Sequence, residues 1–197
     1  MSAATEILLV SGSLRGGSTN SALLRTAATL SVPGIAPSLY GRMGDLPHFN
    51  PDDDVPGETL HPAVLDLRAQ LAASDAILFS TPEYAGALPG SFKNLLDWTV
   101  GGGETYGMPV AWINTAGAAA PARGANAEES LRKVLGYTGS EIVEDACLRI
   151  PVERDAIGDD GLIADPRVSG PLAEALRTLA AAVEAGRADR DRISATG

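Results

Sequence analysis

Three hydroxyls, an arginine and an amide crowd into one short stretch, GSLRGGSTN, as Ser13, Arg15, Ser18, Thr19 and Asn20. Short polar donors interspersed with glycine suit a ligand gripped largely through backbone N–H groups, and Arg15 adds a fixed positive charge. The chain on either side supports an anion as that ligand. Ile7–Val10 is an apolar run of the kind that forms a strand buried on both faces. Leu23, Leu24, Ala27 and Leu30 recur at helix-face spacing beyond Asn20. Strand, polar loop and helix N-terminus together aim free N–H groups and the positive end of a helix dipole at one point, where a phosphate fits. The loop is neither GxxxxGK[ST] nor GxGxxG, which sets aside the triphosphate and dinucleotide signatures. Ordinary turn chemistry accounts for such a loop equally well, so the deciding residues lie later in the chain.

Two further loops follow apolar runs. Ala76–Phe79 leads into TPEYAGALPG, where Pro82, Glu83, Tyr84, Ala85 and Gly86 suit backbone amides laid against a flat ring. Pro109–Asn114 leads into the small-residue loop 115–124, which contains Ala116 and Gly117. A phosphate grip beside a ring-facing loop points to a mononucleotide with a large planar head, a flavin rather than an adenine dinucleotide. No metal site is expected: the two histidines, His48 and His61, stand in no HExxH and there is no CxxC. Asp52–Asp54 reads as a solvated turn, His48 as a surface loop residue and the lone Cys147 as a small buried hydrophobe.

The elements that must position these loops alternate strand with helix. A second strand is expected at Ile35–Leu39, helices from Pro62, from near Pro89 and after Gly124, a fifth strand at Glu141–Ile150, and a last helix carrying Leu172, Leu176, Leu179 and Val183. A frayed tail is expected from about residue 187. The 197 residues, 45% hydrophobic and 20% charged, are expected to form one α/β domain over 1–197 with a parallel sheet covered on both faces. In such sheets ligands sit at the carboxyl ends of the strands, where strand order reverses. A net charge of −10 argues against nucleic-acid or anionic-membrane partners. The N-terminus lacks a basic leader and the following apolar run is too short to span a membrane, so a cytoplasmic protein is expected. The irregular 41–57 region, too long for a simple connection, is expected to act as a lid or partner contact.

With these residues in place, the chain resembles the NAD(P)H-dependent FMN reductases of flavodoxin-like fold. GSLRGGSTN is similar to that family's GSxRxxSxN loop, TPEYAGALPGSFKNLLDW to its PEYNxSxPGxLKNxxDW motif, and DLPHFNPD to its DLPxxNPD segment. The resemblance implies a three-layer sandwich with a five-stranded parallel sheet in the order 2-1-3-4-5. It implies bound FMN, with phosphate held by Ser13, Arg15, Ser18, Thr19 and Asn20. The ring would lie along Pro82, Glu83, Tyr84, Ala85 and Gly86, with Ala116 and Gly117 closing the other side. One departure stands out: Ala85 occupies the position of the family's asparagine. The implied activity is ping-pong transfer of hydride from NADPH or NADH to flavin N5, and on to free flavin, a quinone, an azo dye or a metal oxyanion, with no catalytic side chain. A flavodoxin-type electron carrier with a protein partner is the alternative. The family also implies a homodimer or a dimer of dimers. Met43, Leu46 and Phe49 of the long loop are expected to lie exposed for a partner subunit, and Lys93 and Asp97 to pair across the interface.

Overall fold

A computed structural model describes residues 3–55, 57, 59–117 and 123–195, with side chains as far as Arg192. The first strand, β1 (Thr5–Ser11), sits inside the sheet, and its apolar run serves both faces. Ile7 and Leu9 pack into one core, Leu8 and Val10 into the other. This is the period-two alternation of a strand buried on both sides. β2 (Ile35–Tyr40) and β3 (Ala76–Ser80) flank β1, β4 (Pro109–Asn114) follows β3, and all pair in parallel. The order β2-β1-β3-β4-β5 is the flavodoxin-like order expected from the motifs.

The fifth position differs from the single strand expected at 141–150. It is split into β5 (Glu141–Ile142) and β6 (Leu148–Arg149), both parallel to β4, with a 3₁₀ turn at Glu144–Ala146 between them. The turn is held from both ends. Ala146 is wholly buried, and Glu144 takes a bidentate ion pair from Arg132, whose guanidinium lies 4.9 Å from the Trp112 ring centroid.

The helices divide between the faces. α1 (Thr19–Thr29) and α5 (Pro166–Ala195) cover one through Leu23, Leu24, Leu172, Leu176 and Leu179. α2 (Pro62–Ala72), α3 (Gly90–Asp97) and α4 (Ala125–Tyr137) cover the other through Val64, Leu67, Phe92, Leu95, Leu131 and Leu135. The frayed tail expected from residue 187 is instead helical to Ala195. Arg187 reaches Glu184 at 2.8 Å and Asp75 at 2.6 Å, and Arg192 pairs with Asp189, so the charges that suggested a solvated tail knit the helix.

The long region after β2 also corrects an expectation. Met43 is buried, and Leu46 and Phe49 pack on the same core as α2 and α3, so none of the three is held out for a partner. Phe49 meets Trp98 edge-on at 5.0 Å. Asn94 accepts from the Phe49 N–H at 2.7 Å and donates to the Pro47 carbonyl at 2.9 Å, which also takes the Trp98 indole N–H at 2.9 Å. Asp54, expected in a solvated turn, forms a 2.8 Å ion pair with Arg68 with both side chains largely buried, while Asp52 and Asp53 are exposed. Lys93 and Asp97 pair with each other along α3 at 2.5 Å.

Candidate functional site

The carboxyl ends of β1, β3 and β4 open into one cleft of about 740 Å³, within the range of small-molecule and cofactor sites. Ser13, Arg15, Ser18, Thr19 and Asn20 line one wall, Pro82, Glu83 and Tyr84 the next, and Ala116 and Gly117 a third. Ala85 and Gly86 form the tip of the second loop and stand outside the lining. Residues 118–122 of the third loop lie outside the described residues.

The first wall is built by helix capping. Ser18 is the N-cap of α1, and its hydroxyl accepts from the Ser21 N–H at 3.4 Å. The N–H groups of Thr19 and Asn20, in the first turn, have no intrahelical acceptor and face the end of the helix dipole. Ser13 Oγ accepts from the Arg15 N–H and Ser11 Oγ from the Ser13 N–H, both at 3.3 Å, which folds the loop over the helix start. Gly16 and Gly17 leave open space where a β-carbon would stand. Gly12 has none to spare: a β-carbon there would lie 2.2 Å from Thr81 Oγ1, so the first and second loops touch backbone to side chain.

Asn20 sits where the three walls meet, and its side chain is buried. Its Oδ1 accepts from Ser80 Oγ at 2.9 Å and from Thr115 Oγ1 at 3.3 Å, and Thr115 Oγ1 also meets Thr19 Oγ1 at 3.3 Å. Nδ2 has no partner among the described residues. A phosphate, which accepts only, would complete it.

The second wall turns tightly. The Tyr84 N–H donates to the Ala87 carbonyl at 3.0 Å and the Ala87 N–H to the Tyr84 carbonyl at 3.1 Å. Between them Ala85 (φ 51°) and Gly86 (φ 73°) both stand at positive φ, as a type I′ turn requires. Glu83 has a structural task that its sequence position did not disclose. Its carboxylate accepts from the Asn126 N–H at 3.1 Å and from Asn126 Nδ2 at 3.2 Å, capping α4, whose own N-cap, Gly124, has no side chain to offer. The third wall is fixed by Asn114, which accepts from the Ala116 N–H at 2.8 Å and donates to the Arg123 carbonyl at 3.2 Å and to Glu128.

Sequence reasoning missed part of the lining. Thr81 and Thr115 immediately follow strands and were within reach of a strand-end argument. Arg123 belongs to the third loop but was not singled out, while Val152–Asp155 complete the far wall from a segment with no motif of its own, and only the fold brings that segment here. Cys147 stays clear of the cleft and is half-buried rather than fully buried as expected; burial pushes its thiol up to about 11 from an ordinary 9.0. His48 is exposed and also lies outside the lining.

The profile of the NADPH-dependent FMN reductases matches residues 5–152, the span that carries all three walls up to Val152. An NAD(P)H-dependent FMN reductase from Pseudomonas aeruginosa is 34% identical over 182 residues, covering 91% of this chain and 95% of its own. A quinone reductase from Escherichia coli is 32% identical over 99 residues, half of each chain (50% and 52%). Among solved structures, FerB of Paracoccus denitrificans, a flavoenzyme NAD(P)H:(acceptor) oxidoreductase, superposes with a TM-score of 0.75 at 28% identity over 91% of this chain and 97% of its own.

Proposed function

The chain belongs to the NADPH-dependent FMN reductase family, and from that premise we propose that it uses FMN to carry electrons from NAD(P)H to a small acceptor of the quinone or free-flavin kind. The observation that carries this reading is one cleft that joins an anion cradle to a ring-sized wall. At one end stand the free N–H groups of Thr19 and Asn20, Asn20 Nδ2, the Ser13 hydroxyl and Arg15. At the other stand Pro82–Tyr84 with Ala116 and Gly117 opposite. These groups fit FMN: the donors of the first wall would hold its phosphate, and the main chain of Pro82–Tyr84 with Ala116 and Gly117 would flank its ring.

When bound, FMN supplies the two-electron redox chemistry. The protein's part is to bind and orient. α1 would offer its positive end to the phosphate, and Arg15 would add a guanidinium charge beside it. The second loop is kept in place by its own turn and by the cap that Glu83 gives α4, so its main chain is presented without needing a catalytic side chain. Tyr84, 44% exposed at the cleft, leaves one side open for reactants to enter in turn. The relatives' names support the donor and acceptor classes: two cite NAD(P)H and one cites quinone. Self-association as a homodimer or dimer of dimers belongs to the same proposal. With Met43, Leu46 and Phe49 packed onto their own chain, it rests on Leu14 and Tyr84, which are 60% and 44% exposed beside the cleft.

Mass spectrometry of cofactor released from purified protein tests the cofactor choice. FMN is expected; FAD alone would contradict a cradle built for a terminal phosphate.

A further inference from the structure

Ser80 is wholly buried at the carboxyl end of β3 and does not line the cleft, yet its hydroxyl joins two of the cleft's walls. Oγ lies 2.9 Å from Asn20 Oδ1 and 2.9 Å from the Ile113 carbonyl of β4. Its single proton serves one of these two acceptors at a time, and Thr115 Oγ1 supplies a second donor to Asn20 Oδ1 at 3.3 Å. An amide has two ends. With Oδ1 held by hydroxyl donors on the buried side, Nδ2 is the end left for the cleft, and an anion there accepts from it. The opposite orientation would turn Oδ1, an acceptor, towards that anion.

We infer that Ser80 and Thr115 are positioning residues that fix the amide of Asn20 with its N–H end towards the phosphate, so that a residue remote from the ligand sets the protein's preference for a phosphorylated flavin. This rests on the FMN reading. Ser80 acts from the sheet and touches no ligand. Thr115 acts from the cleft rim and also ties Thr19, the first residue of α1, through their hydroxyls at 3.3 Å. The ends of β3 and β4 are thereby locked to the helix that carries the cradle. Loss of one hydroxyl frees the amide to rotate and weakens one phosphate contact while the ring wall stays as it was.

The discriminating experiment compares FMN with riboflavin, which has the same ring and no phosphate, by fluorescence titration of apoprotein. Wild type, Ser80→Ala, Thr115→Val, Asn20→Ala and the double variant Ser80→Ala/Asn20→Ala are measured. Ser80→Ala and Thr115→Val are each expected to weaken FMN roughly three- to tenfold, the range of one ordinary hydrogen bond, with riboflavin unchanged within about twofold. In the Asn20→Ala background, Ser80→Ala is expected to cost nothing further, because its effect runs through that amide. Equal losses for FMN and riboflavin would show that Ser80 supports only the general fold and overturn the inference. So would an undiminished FMN affinity, or a full Ser80→Ala effect without Asn20. If Ser80→Ala does not fold, Thr115→Val and its double variant with Asn20→Ala carry the same comparison. Wild-type protein that binds riboflavin as tightly as FMN would remove the phosphate cradle itself, a different failure that the first titration identifies.

Discussion

Ala85 holds a backbone conformation that a β-carbon resists: its φ of 51° is the positive value of a type I′ turn, and it is the one non-glycine residue recorded there among those described. Left-handed geometry costs an ordinary residue about 1–2 kcal/mol, and asparagine tolerates it far better. Ala85→Asn is therefore expected to stabilise the protein by roughly 0.5–1 kcal/mol, a rise of about 2–4 °C in Tm at most for a chain of this size. A lower Tm would mean that the loop is not strained at this position. The same geometry accounts for the asparagine of the related motif, since asparagine tolerates left-handed φ better than alanine. Arg15 has no ion-pair partner among the described residues and lines the cleft. Arg15→Ala is expected to weaken FMN about tenfold, or ~1.4 kcal/mol, and to leave riboflavin untouched; an unchanged FMN constant would place Arg15 on another ligand. Cys147 is expected to resist alkylation near neutral pH until the protein unfolds, because burial pushes its thiol up to about 11. Its sign is clear: the contribution is intact below its ordinary 9.0 and is lost as pH rises towards 11. Rapid labelling of the folded protein would contradict this.

At the scale of elements, the 41–57 region shows what pattern alone cannot give. Its apolar residues, Met43, Leu46 and Phe49, look ownerless in sequence because their spacing matches neither helix nor strand. Their partners, Leu67, Phe92 and Trp98, lie far along the chain. Asn94 and Trp98, inside a motif that reads as a helix face, pin Pro47 and Phe49, so two of the sequence motifs are explained by contact with each other. The three cleft loops were legible because each follows an apolar run directly, and the strand order followed from the resemblance of the motifs. The broken fifth strand was not, since Arg132 and Trp112 hold its 3₁₀ turn from other elements. Asp54 and Arg68 likewise meet only in three dimensions. Arg68 also donates to the Trp98 carbonyl at 2.9 Å, so it fastens the end of the long region to the end of α3. Arg68→Leu leaves Asp54 buried without its counter-charge, and a loss of about 3 kcal/mol is expected by urea denaturation. A change below ~0.5 kcal/mol would mean the pair is solvated and the region only loosely attached.

At the scale of the whole molecule, the flavodoxin-like order brings the loops after β1, β3 and β4 together at one edge. A 20.2 kDa chain with Leu14 and Tyr84 exposed beside its cleft is expected to sediment at twice its mass or more at micromolar concentration; a single species near 20.2 kDa would remove self-association from the account. If this cleft makes the chain an FMN-dependent NAD(P)H oxidoreductase, anaerobic mixing of FMN-loaded protein with NADPH, followed by NADH, decides it. The yellow flavin absorbance is expected to bleach within catalytic times on adding one of them, and to return when a quinone is added. Flavin that stays yellow with both nucleotides, in protein shown to hold FMN, would contradict the enzyme reading and leave an electron carrier.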